Sequence, residues 1–432
     1  SVLFRSFENF AVERGLTWTR DDQSVIILQN YTEGREQFAV TRFDPSGSTI
    51  HVQNQAEPID QLTARNMNYA DFYHDIENKM FQLVVNGKSN GTLFVEAFRC
   101  LENCPVPQPY VPKEDTLRLW SNASMWPNGV VPQDGDDVVI PPEWRVLLNI
   151  NTNSLNSLTI QGDLIFDERA EESIIMAKRI WVQGQLIAGS ENQRFHGKAK
   201  IILTGNRIGQ YLILGKNNHV GNKVLAVTGN LTLYGQEVPL VFTRLSQPAE
   251  IGTKTITLTD IVEGKWKVGD EIVIAPTQAF PQEYELRTIT QIIENVVTLD
   301  EALTYYHFGA SAPITNQYGV IDMRAEVAHL TRNIEIIGTP EDNWGGRLYT
   351  TEIYDPKVDF AYRGMLNIDG ISLRNMGQGN SSKAGLAFEL ITSAGRESHI
   401  TNAVIRETQG FHASFYEVRG VTIENCIFYH QD

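Results

Sequence analysis

The chain has 432 residues, 42% of them hydrophobic and 20% charged. This is a globular composition too long for one ordinary core, so two or three domains or a one-dimensional repeat array are expected. Its 36 basic and 52 acidic residues give a net charge of −16, which repels phosphate backbones and argues against nucleic acid as a partner. Apolar runs such as Ser24 to Leu28 fall far short of the ~18–20 residues that cross a bilayer. The start at Ser1-Val2-Leu3-Phe4 has no basic and apolar leader, so a secretion signal is expected to have been removed or to lie upstream.

Residues 1–104 alternate as strands around Val25–Leu28, Gln37–Val40, Met80–Val85 and Thr92–Val95 and read as an N-terminal β module. Cys100 and Cys104 stand close together beside prolines, which suits either a small disulfide loop or two free thiols. Residues 105–116, with Pro105, Pro107, Pro109 and Pro112, form a stiff extended linker. Over 117–245 a template of apolar, gap, apolar, gap, glycine recurs in Leu158-Thr-Ile160-Gln-Gly162, Ile180-Trp-Val182-Gln-Gly184, Ile201-Ile-Leu203-Thr-Gly205 and Leu225-Ala-Val227-Thr-Gly229. Each unit is a short strand, a bend and often a second short strand. Such a unit buries its inner face only when copies stack, so the four glycines are expected at equivalent bends of a right-handed parallel β-helix.

Residues 246–310 read instead as a small antiparallel β insertion, with strands at Thr255–Thr259, Glu271–Ile274, Arg287–Ile293 and Val296–Leu299 and a Trp266-Lys-Val-Gly269-Asp270 turn. The repeat resumes over 311–432 in Arg332–Gly338, Leu366–Asn375, Ile400–Ile405 and Val421–Phe428. There, asparagine or glycine suits a bend with positive φ, and stacked side chains can hydrogen-bond along the axis. The pattern is still running at Asp432, so more chain or neighbouring subunits are expected at the ends. Cys426 lies in an apolar strand pattern and reads as an inert thiol. Glycosylation sequons stand at Asn30, Asn90, Asn122, Asn230 and Asn380, with Asn122 and Asn230 the foremost candidates.

The run Trp120-Ser-Asn-Ala-Ser-Met-Trp126-Pro-Asn-Gly129, then Pro132-Gln-Asp-Gly135-Asp136-Asp-Val-Val-Ile140-Pro141 and Val146–Ile150, resembles the start of the glycine-rich G-eight domain. That domain is found in fibrocystin, fibrocystin-L and the cell-migration-inducing hyaluronan-binding proteins. Trp266–Ile274, and Met323–Val327 with Leu330–Asn333, are similar to the segments that follow it. The resemblance covers about residues 120–432. It implies a secreted or single-pass protein with a β-helical ectodomain acting in adhesion, ciliary or matrix contexts. Some members are linked to hyaluronan binding and depolymerisation and carry a Tyr-Pro-Ile-His-Phe-His stretch. The matching place here is Ala384-Gly-Leu-Ala387-Phe-Glu389, so both histidines are absent.

Asp134, Asp136 and Asp137 could form a calcium loop, but before an alternating strand they read better as turn residues. Asp322, Arg324 and Glu326 alternate and would share one strand face, either as a sugar-gripping row or as an ion-pair ladder. Trp344 with Arg347 offers an aromatic platform and a cation, and Arg363 and Glu389 complete the candidate ligand-binding set. His399, His412 and His430 form no metal-spaced pair. Nucleophile elbow, phosphate-loop and zinc signatures are absent from the sequence, so no catalytic residue, cofactor or metal is assigned. The expected role is an extracellular scaffold that binds a glycan or a protein partner. The alternatives are a hyaluronidase-like β-helix enzyme and an architectural spacer.

Overall fold

In the computed structural model the described residues are 113–431, apart from 215–217, 318, 356–359 and 392–396, together with the strand backbone of the N-terminal module. That module holds two antiparallel sheets. In one, Ser89–Cys100 pairs with Phe7–Asn9, Arg14–Arg20 and Glu36–Pro45; in the other, Met80–Val85 lies between Ser24–Gln29 and Ala70–Asp75. Cys104 and the side chains of Cys100, Asn30 and Asn90 lie outside the described residues.

From Leu117 the chain winds as a right-handed parallel β-helix with three faces. Face A stacks Asp137–Ile140, residues 157–160, residues 179–182, Val224–Val227, Arg347–Asp355, Leu386–Ile391 and Ala413–Val418. Face B begins at Leu117–Leu119 and Arg145–Leu148 and ends at Val421–Glu424. Face C runs from residues 172–177 through Lys198–Leu203, Ile334–Gly338, Ile371–Arg374 and Val404–Thr408 to Ile427–Gln431. Alternation sends every second side chain inward, so the register aligns continuous apolar columns. One runs Leu158, Ile180, Leu225, Leu348, Leu386, and another Ile201, Ile336, Leu373, Ile405. These side chains are essentially fully buried, and each contributes roughly 1.5–3 kcal/mol relative to exposure.

Gly162, Gly184 and Gly229 stack at the A-to-B bend for a reason other than φ. A Cβ on Gly184 would lie 2.1 Å from the Gly162 carbonyl oxygen, and one on Gly229 would lie 2.2 Å from that of Gln183; successive coils touch there through backbone alone. Gly205 departs from the expected stack. Its strand joins face C, with Leu203 beside Ala177, and Gly205 leaves that face at φ +103°. The shared apolar pattern identifies strand and exit but not which face the strand joins. At the B-to-C bend, Gly370, Asn402 and Asn425 all have positive φ, of 68°, 53° and 52°. Asn402 Nδ2 donates to Asp369 Oδ1 at 2.7 Å, linking one coil to the next.

Two excursions leave the coil. A hairpin of Leu212–Leu214 and Asn218–Gly221 rises between faces C and A. A longer excursion separates Asn230–Tyr234 on face B from Ile334–Gly338 on face C and forms an antiparallel sheet around Trp266, Ile272, Val297 and Val327. This sheet takes in Phe242–Arg244 and Glu326–His329 beyond the strands read between 246 and 310. It is tied to the coil by Arg406 on Glu271 at 2.9 Å and by Arg332 donating to the Asn402 carbonyl.

Candidate functional site

The structure separates the expected ligand-binding residues into two groups. Asp322 and Arg324 lie in a loop, not in a strand row, and only Glu326 opens a strand. Arg324 grips Asp322 with Nε and Nη2 at 2.8 and 2.7 Å. Arg244 from the neighbouring strand reaches Asp322 at 3.3 Å and Glu326 at 2.5 Å. The Arg324 hydrogen bonds hold the Asp322 carboxyl well below the usual carboxylate range. These four residues form a self-satisfied ion-pair cluster on the excursion.

Trp344 is buried at 4% exposure, so it is not a surface platform. Its indole Nε1 donates to Asn222 Oδ1 at 2.8 Å, and the Arg207 guanidinium covers its ring. Arg363 sits 3.8 Å from Glu352 across a short antiparallel pair beside face A. The acidic turn is structural: Asp134 and Asp136 accept the backbone N–H groups of Ser154 and Gln133, and Asp137 accepts from Asn156 and Ser157.

Arg347 and Glu389 do come together, on the outer side of face A. Alternation puts Arg347 and Tyr349 outward on one coil and Ala387 and Glu389 outward on the next, with Tyr349 paired to Ala387. The small side chains Ala226 and Ala387 flank Tyr349, leaving room for the hairpin residues Leu214 and Val220 to pack over it. Arg347, 3% exposed, donates from Nη2 to Glu389 Oε1 at 2.6 Å and from Nη1 to the Val220 carbonyl at 3.0 Å. The Tyr349 hydroxyl donates to Glu389 Oε2 at 3.0 Å and accepts from Asn218 Nδ2 at 3.0 Å. Burial, with the nearby Glu389 charge, pushes the Tyr349 phenol up to about 12.

Beside this network the Lys383 amine lies 4.1 Å from the centroid of the Tyr211 ring. Burial, reinforced by the Arg347 charge, lowers its pKa to about 8. Gln378 is fully buried near Gly221, and neither amide atom finds a partner among the described residues. Tyr349, Asn218, Lys383 and Tyr211 were not marked by any motif. The alternation Arg347-Leu-Tyr349 could have put Tyr349 on the arginine's face, but nothing local announces the loop lysine or the hairpin. Glu326, in the same candidate set as Glu389, is committed to Arg244 on the excursion.

Of the sequons, Asn122 is exposed and its Oδ1 already accepts from the Ser124 N–H and hydroxyl at 3.2 and 2.8 Å. Asn230 opens a strand between two others, with its Oδ1 buried, and Asn380 is exposed at φ 56°. Cys426 is half-buried, and burial raises its thiol pKa, as expected for an inert side chain.

The class so defined is a three-faced parallel β-helix with an antiparallel excursion and a hairpin-covered polar network on face A. Residues 125–246 match the family model of the G8 domain. The chain is similar to human (Homo sapiens) fibrocystin-L, 29% identical over 406 residues, covering 83% of this chain and 9% of that protein. It is also similar to dog (Canis lupus familiaris) fibrocystin, 26% identical over 252 residues (58% and 6%), and to a G8 domain-containing protein of Dictyostelium discoideum, 31% identical over 245 residues (52% and 20%). The chain thus spans about a tenth of the length of fibrocystin-L. Among solved structures, it is similar to the tailspike protein gp49 of Pseudomonas phage LKA1, at 15% identity and TM-score 0.19, over 71% of this chain and 38% of that one.

Proposed function

We propose that this chain is a segment of an extracellular or cell-surface scaffold whose face A binds a glycan weakly without cleaving it. The observation that carries this reading is the half-buried group of Glu389, Lys383 and Tyr211 at the rim of the hairpin, with the Lys383 amine over the Tyr211 ring and Glu389 held in place by the buried Arg347 and Tyr349. Aromatic faces beside fixed charged and hydroxyl groups suit sugar rings, which offer C–H faces and hydroxyls in alternation. Hydrolysis would require an acid and a second carboxylate at ~5–9 Å. Both Glu389 oxygens instead accept structural hydrogen bonds, and Glu326 serves another cluster.

The test is incubation of the full chain with size-defined hyaluronan and neutral glycans, reading binding and chain length together. Saturable binding that falls at least tenfold in Tyr211→Ala and Lys383→Ala, with no chain shortening, is the expected result. Shortening that disappears in Glu389→Gln would establish the enzyme reading. Intact mass of the secreted protein, with sugar expected first on Asn122 and Cys100 joined to Cys104, checks the compartment.

A further inference from the structure

A second built space lies away from face A. A cleft of about 600 Å³ separates the outer side of face C from the turn that carries Trp266, within the ~300–1,000 Å³ range of small-ligand sites. Lys198 and Lys200 line it from the coil, and Lys265 and Lys267 from the excursion. Lys200 is paired with Glu172 at 2.6 Å. Lys198, Lys265 and Lys267 are exposed and make no ion pair among the described residues.

Arg332 also lines the cleft and is only 8% exposed. Its Nε donates to the Asn402 carbonyl and its Nη1 to the carbonyls of His329 and Thr331, while Nη2 has no partner among the described residues. Burial lowers its pKa to about 10, and no described carboxylate is bonded to it. A buried guanidinium without an anion is costly unless something else supplies the charge. Of the cleft's own carboxylates, Asp270 is bonded to His329 at 2.8 Å, while Glu335 faces Lys200 across the strand pair, the lysine that is paired with Glu172. Glu171, Glu237 and Glu335 remain, against three lysines and Arg332.

Among the described lining residues Val238 is the one branched apolar side chain. Protein segments anchor through buried aromatic and aliphatic groups, so the lining favours a polar occupant. We propose that this cleft binds an anionic oligosaccharide, with its sulfate or carboxylate groups held by Lys198, Lys265 and Lys267 over the buried Arg332. It goes beyond the face A reading and shares no residue with it, so either can fail alone.

The experiment titrates the full chain at low salt with four labelled probes: a sulfated hexasaccharide, an unsulfated uronate hexasaccharide, a neutral hexasaccharide and a glutamate decapeptide. Binding of the sulfated or the uronate probe, and not of the neutral one, is expected, and the stronger of the two identifies the anionic group. The double variant Lys265→Glu with Lys267→Glu should weaken binding about 100-fold, at about tenfold per charge-assisted contact. Lys198→Glu, on the opposite wall, should weaken it about tenfold on the same ground. Lys254→Glu, on the excursion outside the cleft, should leave affinity unchanged, with circular dichroism confirming the fold of each variant. The proposal is overturned if no anionic sugar binds saturably, if the neutral sugar binds equally, or if the decapeptide binds as tightly. Equal losses in Lys254→Glu, or none in the wall variants, would likewise overturn it.

Discussion

Two of this molecule's arginine–carboxylate groupings are built in opposite ways. Arg324 and Asp322 are two residues apart in a loop, and their bidentate contact needs nothing from the coil. Arg347 and Glu389 are 42 residues apart and meet only because consecutive coils stack in register. The Arg347 and Glu389 side chains are 4% and 31% exposed and those of Arg324 and Asp322 10% and 25%, so the two pairs differ in how they are assembled more than in burial. A buried cation depends on its partner, and in the loop pair Asp322 also has Arg244 at 3.3 Å as a second donor. A charge pair assembled by stacking therefore reports on the fold itself, and a local pair reports on little beyond its loop.

The largest effect that would break this contrast is expected from Arg347→Ala. It leaves Glu389 without its main donor and the Val220 carbonyl unbonded, and should lower unfolding free energy by about 3 kcal/mol, read from the denaturant midpoint. A loss near zero would make the coil pair equivalent to the loop pair.

A middle-sized effect is expected from pH. The folded Lys383 value of about 8 lies below the ordinary 10.5, so the unfolded chain holds more protons between those values. Stability should rise with pH across that window. For Tyr349 the folded value of about 12 lies above the ordinary 10.0, so the unfolded chain loses its proton first and stability should fall from pH 10 towards 12. Denaturation midpoints against pH should lose the rise in Lys383→Met and the fall in Tyr349→Phe. A curve unchanged by either substitution would mean that the face A pocket is as wet as the loop.

The smallest effect belongs to Arg324→Ala. Arg244 still reaches Asp322 and Glu326 in that variant, so the midpoint should stay at the wild-type value within error. A large drop would show that the loop cluster also holds the excursion together.

Local periodicity was enough to reveal the β-helix. Alternating apolar residues and glycines at 162, 184 and 229 mark strands and bends whose inner faces must stack, and the antiparallel excursion announced itself through its turn chemistry at Gly269 and Asp270. The G-eight resemblance, carried by Trp120 and Trp126 and the acidic turn, was legible in the same way because those residues are neighbours in the chain. Tertiary structure decided the rest. It put the strand before Gly205 on face C and buried Trp344 against Asn222. It also drew Lys383, Tyr211 and Asn218 up to the Arg347–Glu389 pair. Each of these depends on which coil lies beside which and on where a hairpin folds back. Contacts across tens of residues are set by register and packing, which local sequence pattern does not encode.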